Sequence, residues 1–174
     1  MSQEVLAVVS PSPARRGLAI GMLLALGALL VYIALAAPPQ GLFLRVFMLG
    51  VGIGALLLAE RVRRATMAWI ELTDAGLRDS DGTRLCDFED IAGVERGAFA
   101  FKPSNGFLVR LKSPAPRAWQ PGLWWRYGRR IGIGGVTPAG QAKYMADLIA
   151  MRLRGIDDIL DQFGGGPKDH RPDD

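Results

Sequence analysis

The stretch GLAIGMLLALGALLVYIALAA (residues 17–37), PPQG (38–41) and LFLRVFMLGVGIGALLLA (42–59) decides how this chain is built. The first run has 21 residues and no charge, enough at about 1.5 Å per residue to cover the roughly 30 Å hydrocarbon thickness of a bilayer. The second has 18 residues and one charge, Arg45, close enough to the break for its stem to reach the headgroups. With the second helix carried on to residue 62, the pattern predicts a transmembrane hairpin within residues 15–64, its spans at 17–37 and 42–62.

The flanks give the hairpin a direction. Arg15 and Arg16 precede the first span and Arg61, Arg63 and Arg64 follow the second, whereas the break between them has only Arg45 nearby. The positive-inside rule then puts both termini in the cytoplasm. A secretory signal peptide competes, because Ala34-Leu35-Ala36 looks like a small-residue cleavage site. Its apolar segment would be longer than the usual ~7 to 15 residues and is followed at once by a second run, which would remain as an anchor after cleavage. Gly17 and Gly21 are four apart, as are Gly50 and Gly54, with Gly52 between the latter. These spacings let helix backbones approach closely, so they are expected to pack the two spans on each other, or else to pair two copies of the chain.

Of 174 residues, the hairpin leaves roughly 110 for one soluble domain. The single Cys86 and single His170 argue against a Cys/His zinc site or a histidine-dependent triad. The net charge of +4 is uneven: residues 157–174 carry −4 and the remainder +8. Between Lys112 and Arg130 there are five basic residues and no acid, interleaved with Trp119, Trp124, Trp125 and Tyr127. Trp119, Trp124, Trp125, Arg126, Tyr127, Arg129 and Arg130 are therefore expected to contact a membrane surface through anionic lipid headgroups. Nucleic acid suits the same mixture but ranks second, because a tethered domain meets headgroups first. The tryptophans have a third reading as core residues closing one end of a barrel.

Outside the spans, residues 1–14 read as a mostly disordered lead with a short apolar patch at 5–9. The soluble domain is expected at 65–156. Ala68, Ile70 and Leu72 share a strand face, Asp74-Ala75-Gly76 is a turn, and Asp81-Gly82 signals a hairpin. A helical turn at 88–91 follows, with Asp87 as its cap. Strands come next at 93–97 and 99–102, then a turn at Pro103-Ser104-Asn105-Gly106 and a strand with Phe107, Val109 and Leu111 on one face. Residues 113–128 read as a Pro-, Trp- and Arg-rich excursion before a last strand at 130–136 that points Ile131 and Ile133 one way. Thr137 as N-cap and Pro138 as first residue open a helix over 138–154, with Gly155 as its terminator. Ala142, Met145, Leu148, Ile149 and Leu153 form one stripe on it. A short helical turn at 156–163 is possible, and the acidic tail 157–174 is expected to be mostly disordered.

Six or seven antiparallel strands closed by an amphipathic helix resembles the pleckstrin-homology-like (PH-like) layout. The chain is similar to small bacterial membrane proteins in which a two-helix hairpin precedes such a domain. The residues that carry the resemblance are ELTDAGL (71–77), FEDI (88–91) and GRRIGIGG (128–135) entering Thr137-Pro138. It implies a membrane α-helical hairpin followed by an α+β domain, a small antiparallel β-barrel or sandwich capped by one C-terminal helix, in the bacterial inner membrane. It implies a binding or scaffolding role and supplies no catalytic residue or cofactor. Lipid-binding eukaryotic members place basic residues in the loop joining the first two strands. With that loop read as Asp74-Ala75-Gly76, the acid argues against the same phosphate site.

The run Gly132-Ile133-Gly134-Gly135 before a helix invites a phosphate-loop reading, but its spacing matches neither GxxxxGK[ST] nor GxGxxG. Asp79, Asp81, Asp87, Glu89 and Asp90 are assigned to turns and caps rather than to metal or acid-base chemistry. The expected function is a non-catalytic interaction module that binds an unidentified protein partner at the membrane. The alternative is an accessory or assembly subunit of a larger membrane complex, and a third reading is an enzyme. Homo-oligomerisation through the glycine-faced helices is a further possibility.

Overall fold

Pro13 fits the first turn of a helix, where its missing N–H costs nothing, and the helix it opens, α1, runs Pro13–Ala36. Its partner α2 spans Leu42–Ala65. Both are long and apolar enough to cross a membrane, and most of their surface is uncovered by protein. The computed structural model describes residues 4–37, 39–95 and 103–164. The expected strand at 99–102 and the tail beyond 164 lie outside these residues.

The lead is not disordered where it is apolar. Val5–Val9 forms strand β1, which pairs antiparallel with β2 (Ile70–Thr73) through Val9↔Ile70, Val8↔Glu71 and Ala7↔Leu72. Ala7 and Val9 are buried while Val5 and Val8 are exposed. Five residues flanked by polar and proline positions carry little strand signal alone, and they are ordered by covering the edge of β2. The sheet continues through β3 (Gly76–Asp79) to β4 (Arg84–Asp87) in the order β1-β2-β3-β4. The α1–α2 hairpin is thus inserted between the first two strands. The loop joining those strands is the hairpin itself, and Asp74-Ala75-Gly76 joins the second and third.

A 3-10 turn at Phe88–Asp90 leads to the second sheet: β5 (Ile91–Glu95), β6 (Phe107–Gln120) and β7 (Trp124–Ile133), all antiparallel. Asp87 does not cap that turn; its carboxylate pairs instead with Arg84 at 2.8 Å. The expected faces hold: Ala68, Ile70 and Leu72 are buried from one sheet, and Phe107, Val109, Leu111, Ile131 and Ile133 from the other, in one shared core. On the outer side, Glu71 sits opposite Arg78. The Trp69 indole N–H, then Arg78, hold its carboxyl below the ordinary 4.5.

Helix α3 (Ala139–Gly164) closes the core with Ala142, Met145, Ala146 and Ile149 buried, and Leu148 and Leu153 partly so. Thr137 is buried with its hydroxyl unpartnered, so it does not cap the helix. Gly155 does not end it either. Its backbone stays out of the left-handed region, and an interior glycine costs only about 1 kcal/mol relative to alanine, too little to stop a helix by itself. Arg152 of α3 pairs with Asp74 at 2.7 Å and lies over the Phe88 ring, which gives the acidic turn a structural role.

The domain and the hairpin are joined without slack. The Ser12 N–H donates to the Val136 carbonyl (2.8 Å), Arg15 to the Thr137 carbonyl (2.8 Å), and the Thr66 hydroxyl to Val62 (2.6 Å). The helices meet at Gly27 and Gly52; of the glycines singled out from the sequence, only Gly52 lies at this contact. A Cβ on Gly27 would lie 2.9 Å from the Gly52 carbonyl oxygen, whereas Gly17, Gly21, Gly50 and Gly54 have nothing within 4 Å. Those four face outward, and the apolar spans carry no signal in the sequence for which side turns inward.

A fragment beginning at residue 65 lacks β1 and is expected to aggregate or melt broadly. A chain in which a short Gly-Ser linker joins Ser12 to Thr66 keeps β1 and is expected to give one cooperative transition by circular dichroism. In the full chain, Gly27→Ala must force the helices apart and is expected to cost on the order of 1–3 kcal/mol in detergent melts, while Gly17→Ala and Gly50→Ala cost nothing.

Candidate membrane-interface site

The excursion at 113–128 is strand. β6 and β7 pair along its length, with Ala115↔Gly128, Ala118↔Arg126 and Trp119↔Trp125, but the register shifts twice because β6 carries the extra residues. Gly128 takes a left-handed φ of +57° at this irregular stretch. Bulges bend a ribbon, and this one curls until its tip returns to its own base. The Gly134 N–H donates to Leu123 O (2.9 Å) and the Val136 N–H to Gly122 O (3.0 Å). At Gly122, φ +83°, an added Cβ would lie 3.3 Å from Thr66 and 3.7 Å from Val62 at the end of α2.

The curl separates the seven residues expected at a membrane surface. Trp124 is in the core beside the fully buried Leu123, whose burial alone contributes about 1.5–3 kcal/mol. Trp125 is half-buried, its indole where a Cβ on Gly132 would run into it. Arg126 is a clamp: its guanidinium donates to the carbonyls of Pro116 (2.8 Å), Arg84 (3.1 Å) and Leu85 (2.6 Å), tying the curl to β4. Trp119, Tyr127, Arg129 and Arg130 are exposed, with Arg117 5.7 Å from the Tyr127 ring centre. The membrane-contact set therefore divides, with Trp124 and Arg126 serving the fold.

The arginines flanking the two helices gather at one end of the hairpin. Arg16 donates to the Arg63 carbonyl at 3.4 Å, so the charged ends of α1 and α2 are adjacent. Arg63 and Arg64 share Glu60, at 2.7 and 2.6 Å. Trp119 hangs over this end and lines a cleft of about 480 Å³ together with Gly54, Leu57, Leu58, Glu60, Arg61 and Arg64. An adjoining cleft of about 380 Å³ continues past Arg61 and Arg64 to Asp81 and Gln120. The sequence gives no local sign of this meeting, since Trp119 is far along the chain from Arg61 and reaches it only through the curl.

Gly134, Gly135 and Asp79 have structural roles. Gly134 and Gly135 spend their N–H groups on the carbonyls of Leu123 and Ser104, as a tight strand-to-helix connection requires. Asp79 accepts the N–H groups of Asp81 (2.9 Å) and Thr83 (3.2 Å) and so shapes the β3–β4 turn. Burial pushes the Cys86 thiol up to about 12, which keeps it protonated at neutral pH. Among the described residues, no three His, Cys, Asp or Glu side chains gather to hold a metal ion.

Arg126→Ala leaves three carbonyls without their donor and is expected to cost about 1–3 kcal/mol in denaturant melts of the full chain. Lysine, lacking the planar fork, should not restore it. Arg129→Ala and Arg130→Ala are expected to stay within about 0.5 kcal/mol of the parent. The chain matches no family model, no curated protein and no solved structure, so its role has to be argued from this geometry.

Proposed function

We propose that the chain is an integral protein of a bacterial inner membrane whose PH-like cytoplasmic domain is a non-catalytic interaction module held at the membrane surface. The observation that carries this reading is the insertion of the hairpin between β1 and β2. Both helices enter one sheet at one end, with four residues between Ala65 and Ile70, so the domain has a fixed face toward the bilayer and a fixed face away from it. A four-stranded and a three-stranded antiparallel sheet closed by α3 support the PH-like layout. Arg15, Arg16, Arg61, Arg63 and Arg64 at the domain end, against Arg45 at the other, support a cytoplasmic placement.

The second reading, an accessory or assembly subunit of a larger membrane complex, draws on the outward glycines. Gly17, Gly21, Gly50 and Gly54 are left open by the chain's own hairpin and could admit another helix, from a partner or a second copy.

Reporter fusions at Asp174 of the full chain and after Arg64 of a truncated one are expected to give cytoplasmic signals, and a periplasmic signal at either would refute the topology. Affinity capture of the full chain in mild detergent separates the two readings. A stoichiometric large complex supports the subunit, and its absence leaves the surface module.

A further inference from the structure

The cleft under Trp119 has the two halves of a lipid site. On α2, Gly54, Leu57, Leu58 and Arg61 recur at i, i+3, i+4 and i+7, one stripe on the side away from Gly52, Ala55 and Ala59, which face α1. Leu57 is 64% exposed and Trp119 58%, so apolar surface stands open beside charged surface. A Cβ on Gly54 would touch nothing, and that absent side chain leaves a groove in the stripe. Glu60 also lines the cleft but is shared by Arg63 and Arg64, and Arg61 has no carboxylate partner among the described residues, so the lining sets two arginines against one carboxylate. Asp81 lies only in the adjoining cleft, on the side away from Gly54 and Leu57.

We propose that this cleft binds one anionic phospholipid of the surrounding bilayer, its phosphate on Arg61 and Arg64 and one acyl chain along Gly54, Leu57 and Leu58 beneath Trp119. The proposal rests on the reading that both helices cross the membrane. From Gly54 to Arg64 is about 15 Å along the helix, a span that reaches from the headgroup into the upper acyl region. Tryptophan favours that depth, and arginine supplies forked donors that match a phosphate. A free anion would use the arginines and leave the apolar half empty, and a zwitterionic lipid would fill the groove without answering the excess positive charge.

The test is native mass spectrometry of the full chain in mild detergent with equimolar phosphatidylglycerol and phosphatidylcholine. One phosphatidylglycerol is expected to be retained, about tenfold over phosphatidylcholine. Arg61→Gln is expected to reduce that preference about tenfold, and Gly54→Leu to reduce retention of both lipids while leaving the charge intact. Arg61 is exposed and Gly54 is open, so both variants should melt with the parent, and melting is measured alongside. Equal retention of the two lipids, unchanged preference in Arg61→Gln, or full displacement by millimolar inorganic phosphate would overturn the proposal. A carbonate wash of membranes checks the underlying reading separately. Release of the chain refutes the hairpin, whereas a chain that stays in the membrane without lipid preference refutes only the cleft.

Discussion

The pairing of β1 with β2 constrains everything around it. Two strands that neighbour each other in a sheet must begin and end within a few ångströms, yet here about sixty residues, 48 of them in the two helices, separate them. Only an antiparallel helix pair returns the chain to its starting point over that length, so the sheet and the hairpin specify each other. The hydrogen bonds from Ser12 to Val136 and from Arg15 to Thr137 then fix α1 to the start of α3, while Gly122 rests on the end of α2. The domain is therefore seated on its helices rather than hung from them.

The curled β6–β7 ribbon solves the second problem, an open end between a four-stranded and a three-stranded sheet. β4 is an edge whose carbonyls would face water, and Arg126 satisfies two of them while Leu123 and Trp124 plug the gap. An arginine that looks like a surface charge in the sequence is worth more here as a multidentate donor, because neutral carbonyls at a sheet edge gain from a charged partner.

The local periodicities were legible before the fold was seen. The two spans, the Ile70, Phe107 and Ile131 faces and the α3 stripe all follow from residues that repeat along one element. What could not be read depends on residues far apart. β1 shows itself only once β2 offers an edge, and Trp124 differs from Trp119 because Trp119 pairs with Trp125, the neighbour of Trp124, which leaves the two on opposite faces of the ribbon. The choice of Gly27 and Gly52 over Gly17 and Gly50 reflects helix rotation, which spans apolar all round do not encode. The cleft between Trp119 and Arg61 combines all three causes.

The insertion also orders events during folding. Closing a flexible loop of about sixty residues to pair β1 with β2 would cost on the order of 3–4 kcal/mol of chain entropy before any contact compensates. Once the helices are formed side by side, that loop is already closed and the pairing becomes effectively local. A chain whose hairpin has not assembled leaves the β2 edge bare, an exposed row of backbone donors and acceptors of the kind that recruits other strands or proteases. The completed sheet is thereby a record that the helical hairpin has been built.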